Sequence, residues 1–237
     1  MTDPIIDFSK LGKKKVKYRQ NPKSLTWPAR VLVVGLPGSG KTTITANLIL
    51  SPEIKLIYDK LYIYATDLED DKYQLIKEKF EKVEERLSKK HKQEVKILHL
   101  GTNLNEVLPV DDLDRTLQNL VVFDDFLAHV SDKEHSKVTD YWIRSRRMNA
   151  LCLYLTQSYY GTPKILREST NYVILFKVNN SFDLNAIHRD LIRGLNLDEF
   201  KKLYYELINK NRYGYVVIDL VTSNLDHQVR TTLAEPK

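Results

Sequence analysis

Residues 31–42 read V-L-V-V-G-L-P-G-S-G-K-T, and this stretch predicts the fold. Val31 to Val34 form a short apolar run, rich in β-branched residues, that is typical of a buried parallel strand. Gly35 to Thr42 match the pattern G-x-x-x-x-G-K-[ST], and residues 43–50 continue as the start of a helix. Strand, glycine-rich turn and helix in this order are the context in which the motif indicates a phosphate site.

The residue types in this loop are suited to binding a polyphosphate. Glycines at 35, 38 and 40 can take backbone angles closed to other residues, so that successive N–H groups point into one concavity at a helix N-terminus. Lys41 can reach the β- and γ-phosphates, and the Thr42 hydroxyl can ligate Mg²⁺. The alternative is a glycine-rich turn that binds nothing. The predicted binding residues are Gly35, Pro37, Gly38, Ser39, Gly40, Lys41, Thr42 and Thr43.

Length and composition exclude several classes of protein. The 237 residues suit one α/β domain of generous size. No run of about 18 apolar residues is present, so we expect no membrane span, and the N-terminus does not read as a signal peptide. Cys152 is the single cysteine, which excludes an internal disulfide and a cysteine-based metal site. The six histidines do not have the sequence spacing of zinc ligands, such as H-x-x-x-H, so we assign no zinc site.

Basic residues crowd the start of the chain, whose formal net charge is +6. One interpretation is a solvated, partly disordered leader, and the other is an arm that binds a partner such as nucleic-acid phosphates. The sequence leaves both open. We divide the chain into a basic arm at 1–28 and a domain that contains the phosphate loop, or P-loop, at 29–237. The basic residues are Lys10, Lys13, Lys14, Lys15, Lys17, Arg19 and Lys23.

Apolar runs and helical periodicities alternate along the rest of the chain. Such alternation predicts a mostly parallel central sheet with helices on both faces, followed by a C-terminal β-hairpin around residues 224–226. The predicted strands are 30–34, 61–65, 95–100, 120–123, 151–155, 172–178, 213–220 and 229–233. The predicted helices are 41–50, 67–94, 131–148 with N-cap Ser131 and capping-box Glu134, 164–168, 184–192 and 198–208.

Two acids follow the apolar run at 120–123. In open α/β sheets, ligands lie at the carboxyl ends of the strands, which is where Asp124 and Asp125 are expected. Asp124 fits the oxygen-rich partner that a phosphate-bound Mg²⁺ needs, and Asp125 could orient or deprotonate an attacking water. The plainer alternative is that both acids cap the following turn.

Gln157 and a group of arginines complete the candidate residues. If the strand before Gln157 lies between the first and fourth strands, its amide comes close to the γ-phosphate; otherwise it is a strand-end polar residue without a special role. Arg144, Arg146 and Arg147 end a predicted helix, where cations are favourable in any case. One of them, or Arg167, could instead reach a neighbouring subunit's nucleotide as an arginine finger.

The order G-L-P-G-S-G-K-T, V-V-F-D-D, R-R-M-N-A-L-C-L-Y-L-T-Q and G-T-P-K-I-L-R resembles the viral genome-packaging ATPases of the FtsK–HerA superfamily over residues 30–220. The resemblance implies an ASCE (RecA-like) P-loop NTPase that uses ATP and Mg²⁺. By this likeness, Lys41, Asp125 and Gln157 are catalytic, Thr42 and Asp124 hold the metal, and Arg146 is the arginine offered in trans. Aspartate at 125 departs from the glutamate of many members, and Arg146-Arg147 departs from the common arginine-histidine pair.

The resemblance also implies partners and a location. We expect a homo-oligomeric ring, with six as the expected number of subunits, that drives double-stranded DNA into a preformed capsid through a portal vertex. The expected location is the host cytoplasm or a virus factory, with association with the virion as a further expectation. The alternative function is a small-molecule phosphotransferase, such as a nucleoside or nucleotide kinase, which uses the same loop.

Overall fold

The computed structural model describes residues 18–125 and 135–234. Its strands are β1 Arg30–Val34, β2 Lys60–Ala65, β3 Leu98–Gly101, β4 Asn119–Asp124, β5 Ala150–Thr156, β6 Tyr172–Leu175, β7 Val216–Asp219 and β8 Val229–Arg230. Its α-helices are α1 Lys41–Leu50, α2 Asp71–His91, α3 His135–Arg144, α4 Lys164–Glu168, α5 Ser181–Leu191 and α6 Leu197–Ile208. Short 3-10 helices lie at Val110–Asp112 and Leu225–His227.

The strands form one 8-stranded sheet in the order β3-β2-β4-β5-β1-β6-β7-β8. All pairs from β3 to β6 are parallel, whereas β6–β7 and β7–β8 are antiparallel. The predicted α/β class, with a mostly parallel sheet and a C-terminal hairpin, is therefore confirmed. The hairpin connection is longer than a tight turn, because it contains the 3-10 helix at Leu225–His227.

Helices cover both faces of the sheet, and each face has its own apolar core. Alternate residues of β1 separate the two: Val31 and Val33 face one core, and Leu32 and Val34 face the other. Helices α1 and α2 close the first core, and helices α3 to α6 close the second. Because the central strands are buried on both faces, their sequences are continuous apolar runs rather than alternating ones.

Two predicted element boundaries shift for local reasons. Helix α2 starts at Asp71, since the side chain of Asp70 accepts a hydrogen bond from the Lys72 N–H at 2.8 Å and caps the helix. Strand β3 starts at Leu98 because the Glu84 carboxylate accepts the N–H groups of Ile97 and Leu98, at 2.6 and 2.7 Å. The predicted cap of the third long helix, at 131–134, lies outside the described residues.

The described part of the basic arm, residues 18–28, lies against the domain. Leu25 and Trp27 are buried, and the Trp27 indole donates to Asn149 Oδ1 at 2.8 Å. Arg19 forms an ion pair with Asp59 at 2.5 Å. Residues 1–17, which carry five of the arm's lysines, lie outside the described part of the chain, and the division at residue 28 stays a proposal.

The structure places Cys152 in β5, buried and with a free thiol. Within 18–125 and 135–234 no helix has the length and apolar character that crossing a membrane requires. The same ranges contain no group of three or more histidine, cysteine or acidic side chains arranged to hold a metal ion.

A buried ion pair across the hairpin generates a stability prediction. Arg230 Nη1 lies 2.7 Å from Asp219 Oδ2, and the two side chains are 6% and 3% exposed. We expect Arg230→Met to lower the free energy of unfolding by about 3–5 kcal/mol, because it leaves a buried carboxylate without its partner. Urea denaturation measures the change.

The matched control is Glu85→Gln, which removes an ion pair to Lys89 whose side chains are 65% and 76% exposed. Exposed pairs contribute little to stability, so its denaturation midpoint should equal that of the unmodified protein. Equal midpoints for both variants and the unmodified protein would show that the hairpin ion pair does not stabilise the fold.

Candidate active site

The glycine-rich loop joins the carboxyl end of β1 to the start of α1 and is anchored on both sides. The Gly35 N–H donates to Thr156 O at the end of β5, at 3.1 Å, and the Leu36 N–H donates to Lys177 O beyond β6, at 3.0 Å. These bonds attach the loop to the strands on either side of β1. The loop is therefore held at the carboxyl edge of the sheet.

The three glycines of the loop are needed for two different reasons. Gly38 and Gly40 have φ of 70° and 115°, the left-handed region that the sequence predicts for them. The expectation of an unusual backbone angle is wrong for Gly35. Its constraint is close packing, because a Cβ there would lie 2.6 Å from the Cβ of Phe176.

The start of α1 presents hydrogen-bonding groups that have no partner in the helix or its cap. The N-cap is Gly40, which has no side chain to cap the helix, and no acid lies in the first turn, which begins with Lys41, Thr42 and Thr43. The first N–H groups of a helix lack partners inside it and carry partial positive charge. The buried Ser39 Oγ has no hydrogen-bond partner among the described residues. This end of the helix thus fits an anion such as a phosphate.

Lys41 is folded back over the loop. Its Nζ donates to Gly35 O at 2.7 Å and to Leu36 O at 3.0 Å. Burial lowers the pKa of the ammonium, and the charges of Asp124 and Asp125 oppose that shift. The lysine therefore lies within the electrostatic field of the two acids predicted to act with it.

Asp124 ends β4, and Tyr73 in the first turns of α2 holds its carboxylate. The Tyr73 hydroxyl donates to Asp124 Oδ2 at 2.5 Å. Burial raises the pKa of Asp124, while this hydrogen bond and the charge of Lys41 lower it. The sequence analysis assigned Tyr73 no role at the site. A long-range hydrogen bond between a tyrosine and an acid leaves no pattern in the sequence, so this residue was missed.

Asp125 and Gln157 meet across the ends of two neighbouring strands. Asp125 follows β4 and Gln157 follows β5, and the Gln157 Nε2 donates to Asp125 Oδ2 at 2.7 Å. Strand β5 pairs with both β1 and β4, which is the order on which the prediction for Gln157 depended. Asp125 has φ of 51°, a conformation that aspartate tolerates better than most residues. The sheet therefore brings Gln157 to the predicted acid.

The four candidate arginines fall into two groups, two that form ion pairs within the subunit and two that do not form any among the described residues. Arg144 forms an ion pair with Asp111. Arg167 pairs with Asp190 at 2.5 Å and lies over the Tyr159 ring at 5.3 Å. The side chains of Arg146 and Arg147 are exposed and have no hydrogen bond or ion pair with residues in the described ranges.

Arg146 lies far from the loop of its own chain. It lines a cleft of about 270 Å³ with Arg30, which begins β1, and Asn171, which precedes β6. Burial lowers the pKa of Arg30, and the charge of Arg146 lowers it further. Arg146 therefore lies at the amino edge of the sheet, opposite the glycine-rich loop.

No protein-family model and no curated protein matches the sequence. Solved structures do match. The genome-packaging NTPase B204 from Sulfolobus turreted icosahedral virus 2, in complex with sulfate, is 11% identical, with a TM-score of 0.56 over 90% of this chain and 100% of that chain. Its complex with ATP-gammaS is 12% identical, with a TM-score of 0.51 over 88% and 98%.

A third similar structure is that of B204, the DNA-packaging ATPase from Sulfolobus turreted icosahedral virus. It is 12% identical, with a TM-score of 0.51 over 89% of this chain and 100% of that chain. The chain has the fold of a viral genome-packaging NTPase. The fold implied by the sequence resemblance is thus confirmed, while the roles of the individual site residues stay predictions.

The partly buried carboxylate of Asp124 leads to a prediction about the pH dependence of stability. Because burial raises its pKa in the folded state, the folded protein retains the proton to a higher pH than the unfolded chain does, and stability falls as pH rises through that interval. Asp124→Asn cannot ionise, so we expect a higher thermal unfolding midpoint than the unmodified protein at pH 7. The gain should disappear below about pH 3, where aspartate is protonated in both states.

Asp125→Asn is the control, since Asp125 is the adjacent acid and its hydrogen bond to Gln157 is exposed, whereas that of Asp124 to Tyr73 is partly buried. It should change the midpoint less than Asp124→Asn does at pH 7. A gain for Asp124→Asn that is the same at both pH values would contradict this account, because it would not arise from ionisation.

Proposed function

We propose that the protein is an ATP-hydrolysing double-stranded DNA translocase of the FtsK–HerA superfamily, which packages a viral genome into a preformed capsid. The observation that carries the proposal is the convergence of three strand ends. The glycine-rich loop with Lys41 follows β1, Asp125 follows β4 and Gln157 follows β5, all at one edge of the sheet. Further support comes from the fold shared with B204, a DNA-packaging ATPase.

Each residue has a chemical task in this proposal. The amides of the loop and of the first turn of α1 bind the phosphates of ATP, and the Lys41 ammonium adds positive charge at the transferring group. The Thr42 hydroxyl and the Asp124 carboxylate would hold Mg²⁺, which neutralises charge on the phosphates when bound. Tyr73 orients the Asp124 carboxylate through its hydrogen bond.

The pair Asp125 and Gln157 acts on the attacking water. A general base must accept the proton of the water, and the Asp125 carboxylate is the candidate. The Gln157 amide donates to the same carboxylate at 2.7 Å, so it can hold the base in position and exchange this bond for one to the water or the γ-phosphate. Exchange of this kind would link the state of the nucleotide to the segment after β5.

A ring explains the location of Arg146. The arginine lies at the edge of the sheet opposite its own loop, so within one subunit it cannot reach the phosphates. A neighbouring subunit in a closed ring could present that edge to the nucleotide. Arg146 is exposed and unpaired among the described residues, and we propose it as the finger ahead of Arg144 and Arg167, whose guanidinium groups are engaged within the subunit.

The proposed partners follow from the proposed activity. Contacts to DNA phosphates carry little sequence information, so a packaging motor should tolerate any sequence. The basic residues of the arm could bind DNA or the capsid. A capsid or portal vertex would receive the DNA, and the host cytoplasm or a virus factory is the proposed location.

Steady-state ATP hydrolysis with and without duplex DNA tests the proposal, together with the mass of the assembled particle. We expect stimulation by DNA of any sequence and a mass several times that of one subunit. ATP turnover that DNA does not stimulate and that requires a small acceptor molecule would indicate the phosphotransferase alternative instead.

Lys41→Ala is expected to reduce ATP hydrolysis by at least about a hundredfold, because it removes the cation nearest the transferring phosphate. Circular dichroism should show an unchanged fold, since the loop remains anchored through Gly35 and Leu36. Lys89→Ala, which alters an exposed residue on α2, is the control and should retain full turnover. Normal turnover by Lys41→Ala would refute the site assignment.

Arg146→Ala is expected to lower hydrolysis by about a thousandfold in assembled rings while ATP binding remains. Mixing this variant with Lys41→Ala tests action in trans. Each inactive variant supplies what the other lacks, so mixed rings should regain activity. Arg144→Ala should keep most of the activity. No recovery on mixing would exclude Arg146 as a finger in trans.

A further inference from the structure

The segment between α6 and β7 brings an exposed tyrosine to the edge of the glycine-rich loop. A Cβ added to Gly40, the N-cap of α1, would lie 3.2 Å from Cδ1 of Tyr213. The tyrosine ring therefore packs closely against the backbone at the start of α1. The Tyr213 side chain is nevertheless accessible to solvent, since the residue is 43% exposed.

Hydrogen bonds to Asn211 and close packing at Gly214 shape the turn around Tyr213. Asn211 Oδ1 accepts the Tyr213 N–H at 3.0 Å, and Asn211 O accepts the Gly214 N–H at 3.1 Å. A Cβ at Gly214 would lie 2.1 Å from Ile208 O, so the turn can close only with glycine at this position. The turn thus positions the backbone that carries the ring, and the ring packs against Gly40.

The same turn places the ring on the side of the sheet that α1 covers. Tyr215, two residues further along the chain, is partly buried, packs on Phe176 at 5.5 Å and lies against the core beneath α1. The Tyr213 ring itself lies against Gly40, the N-cap of α1. Tyr213 therefore stands beside the N-terminal turn of α1, where the proposed phosphate site lies.

We propose that Tyr213 is the stacking surface for the base of the nucleoside triphosphate whose phosphates bind the loop. This inference rests on the proposed function, because it assumes nucleotide at the loop. An exposed aromatic ring that packs against the start of α1 offers a base the flat apolar surface that it stacks on. Arg212 lies over the Tyr213 ring at 5.3 Å and adds a planar cation that can stack on ring and base alike.

Stacking has a consequence that separates it from phosphate binding. A ligand that carries phosphates without a base contacts the loop and Lys41 but gains nothing from Tyr213. Inorganic tripolyphosphate is such a ligand. Loss of the ring should therefore weaken the binding of ATP and leave tripolyphosphate unaffected.

Isothermal titration of the full chain with Mg·ATP and with Mg·tripolyphosphate tests the proposal. We expect Tyr213→Ala to bind ATP about tenfold more weakly and tripolyphosphate within about twofold of the unmodified protein. Tyr213→Phe keeps the ring and should bind both ligands within about twofold. Tyr205→Ala removes another exposed tyrosine, 48% exposed on α6, and is the matched control.

Three outcomes would overturn the stacking role. They are unchanged ATP binding by Tyr213→Ala, an equal loss for both ligands, and a loss in Tyr213→Phe as large as that in Tyr213→Ala. Thermal unfolding of the ligand-free variants identifies any loss caused by misfolding. If the unmodified protein binds tripolyphosphate as tightly as ATP, the base has no site although the phosphate site stands. If it binds neither, the proposed function fails as well.

Discussion

The parallel pairing of β5 with both β1 and β4 is the constraint on which the candidate site depends. Parallel strands end at the same edge of a sheet, so this pairing brings the residues after three strands into one region. The Gly35 N–H bonds to the last residue of β5, and the Asp125 N–H bonds to Leu155 in the same strand, at 3.1 Å each. Strand β5 thus positions the glycine-rich loop on one side and the acid on the other.

This convergence places charge in a partly buried region. Burial lowers the pKa of Lys41 and raises that of Asp124, so each group ionises less readily than it does in water, and their mutual attraction offsets only part of that shift. The Tyr73 hydroxyl compensates further by donating to Asp124. Sites that bind phosphates often contain ionisable groups whose partial burial is unfavourable, because the same desolvation strengthens their interaction with a charged ligand.

Patterns within short segments predicted most of the fold. Strand β1 and helix α1 came from adjacent residues, and the ordering of strands and helices came from runs and periodicities that span one element each. Features that join distant segments were missed. The hydrogen bond between Tyr73 and Asp124, the packing of Gly35 on Phe176 and the ion pair of Arg167 with Asp190 each connect residues far apart in sequence, and nothing local in the chain marks them.

The sequence by itself determined the glycine-rich motif, the α/β class and the candidate residues of the site, because each of these is encoded by neighbouring residues and their backbone preferences. Only the tertiary structure decided which of them meet. The insertion of β5 brought Gln157 to Asp125. Arg146 precedes β5 whereas the loop follows β1, and because these two strands are parallel, Arg146 and the loop lie at opposite edges of the sheet. Strand order is a matter of long-range packing, which no short stretch of sequence specifies.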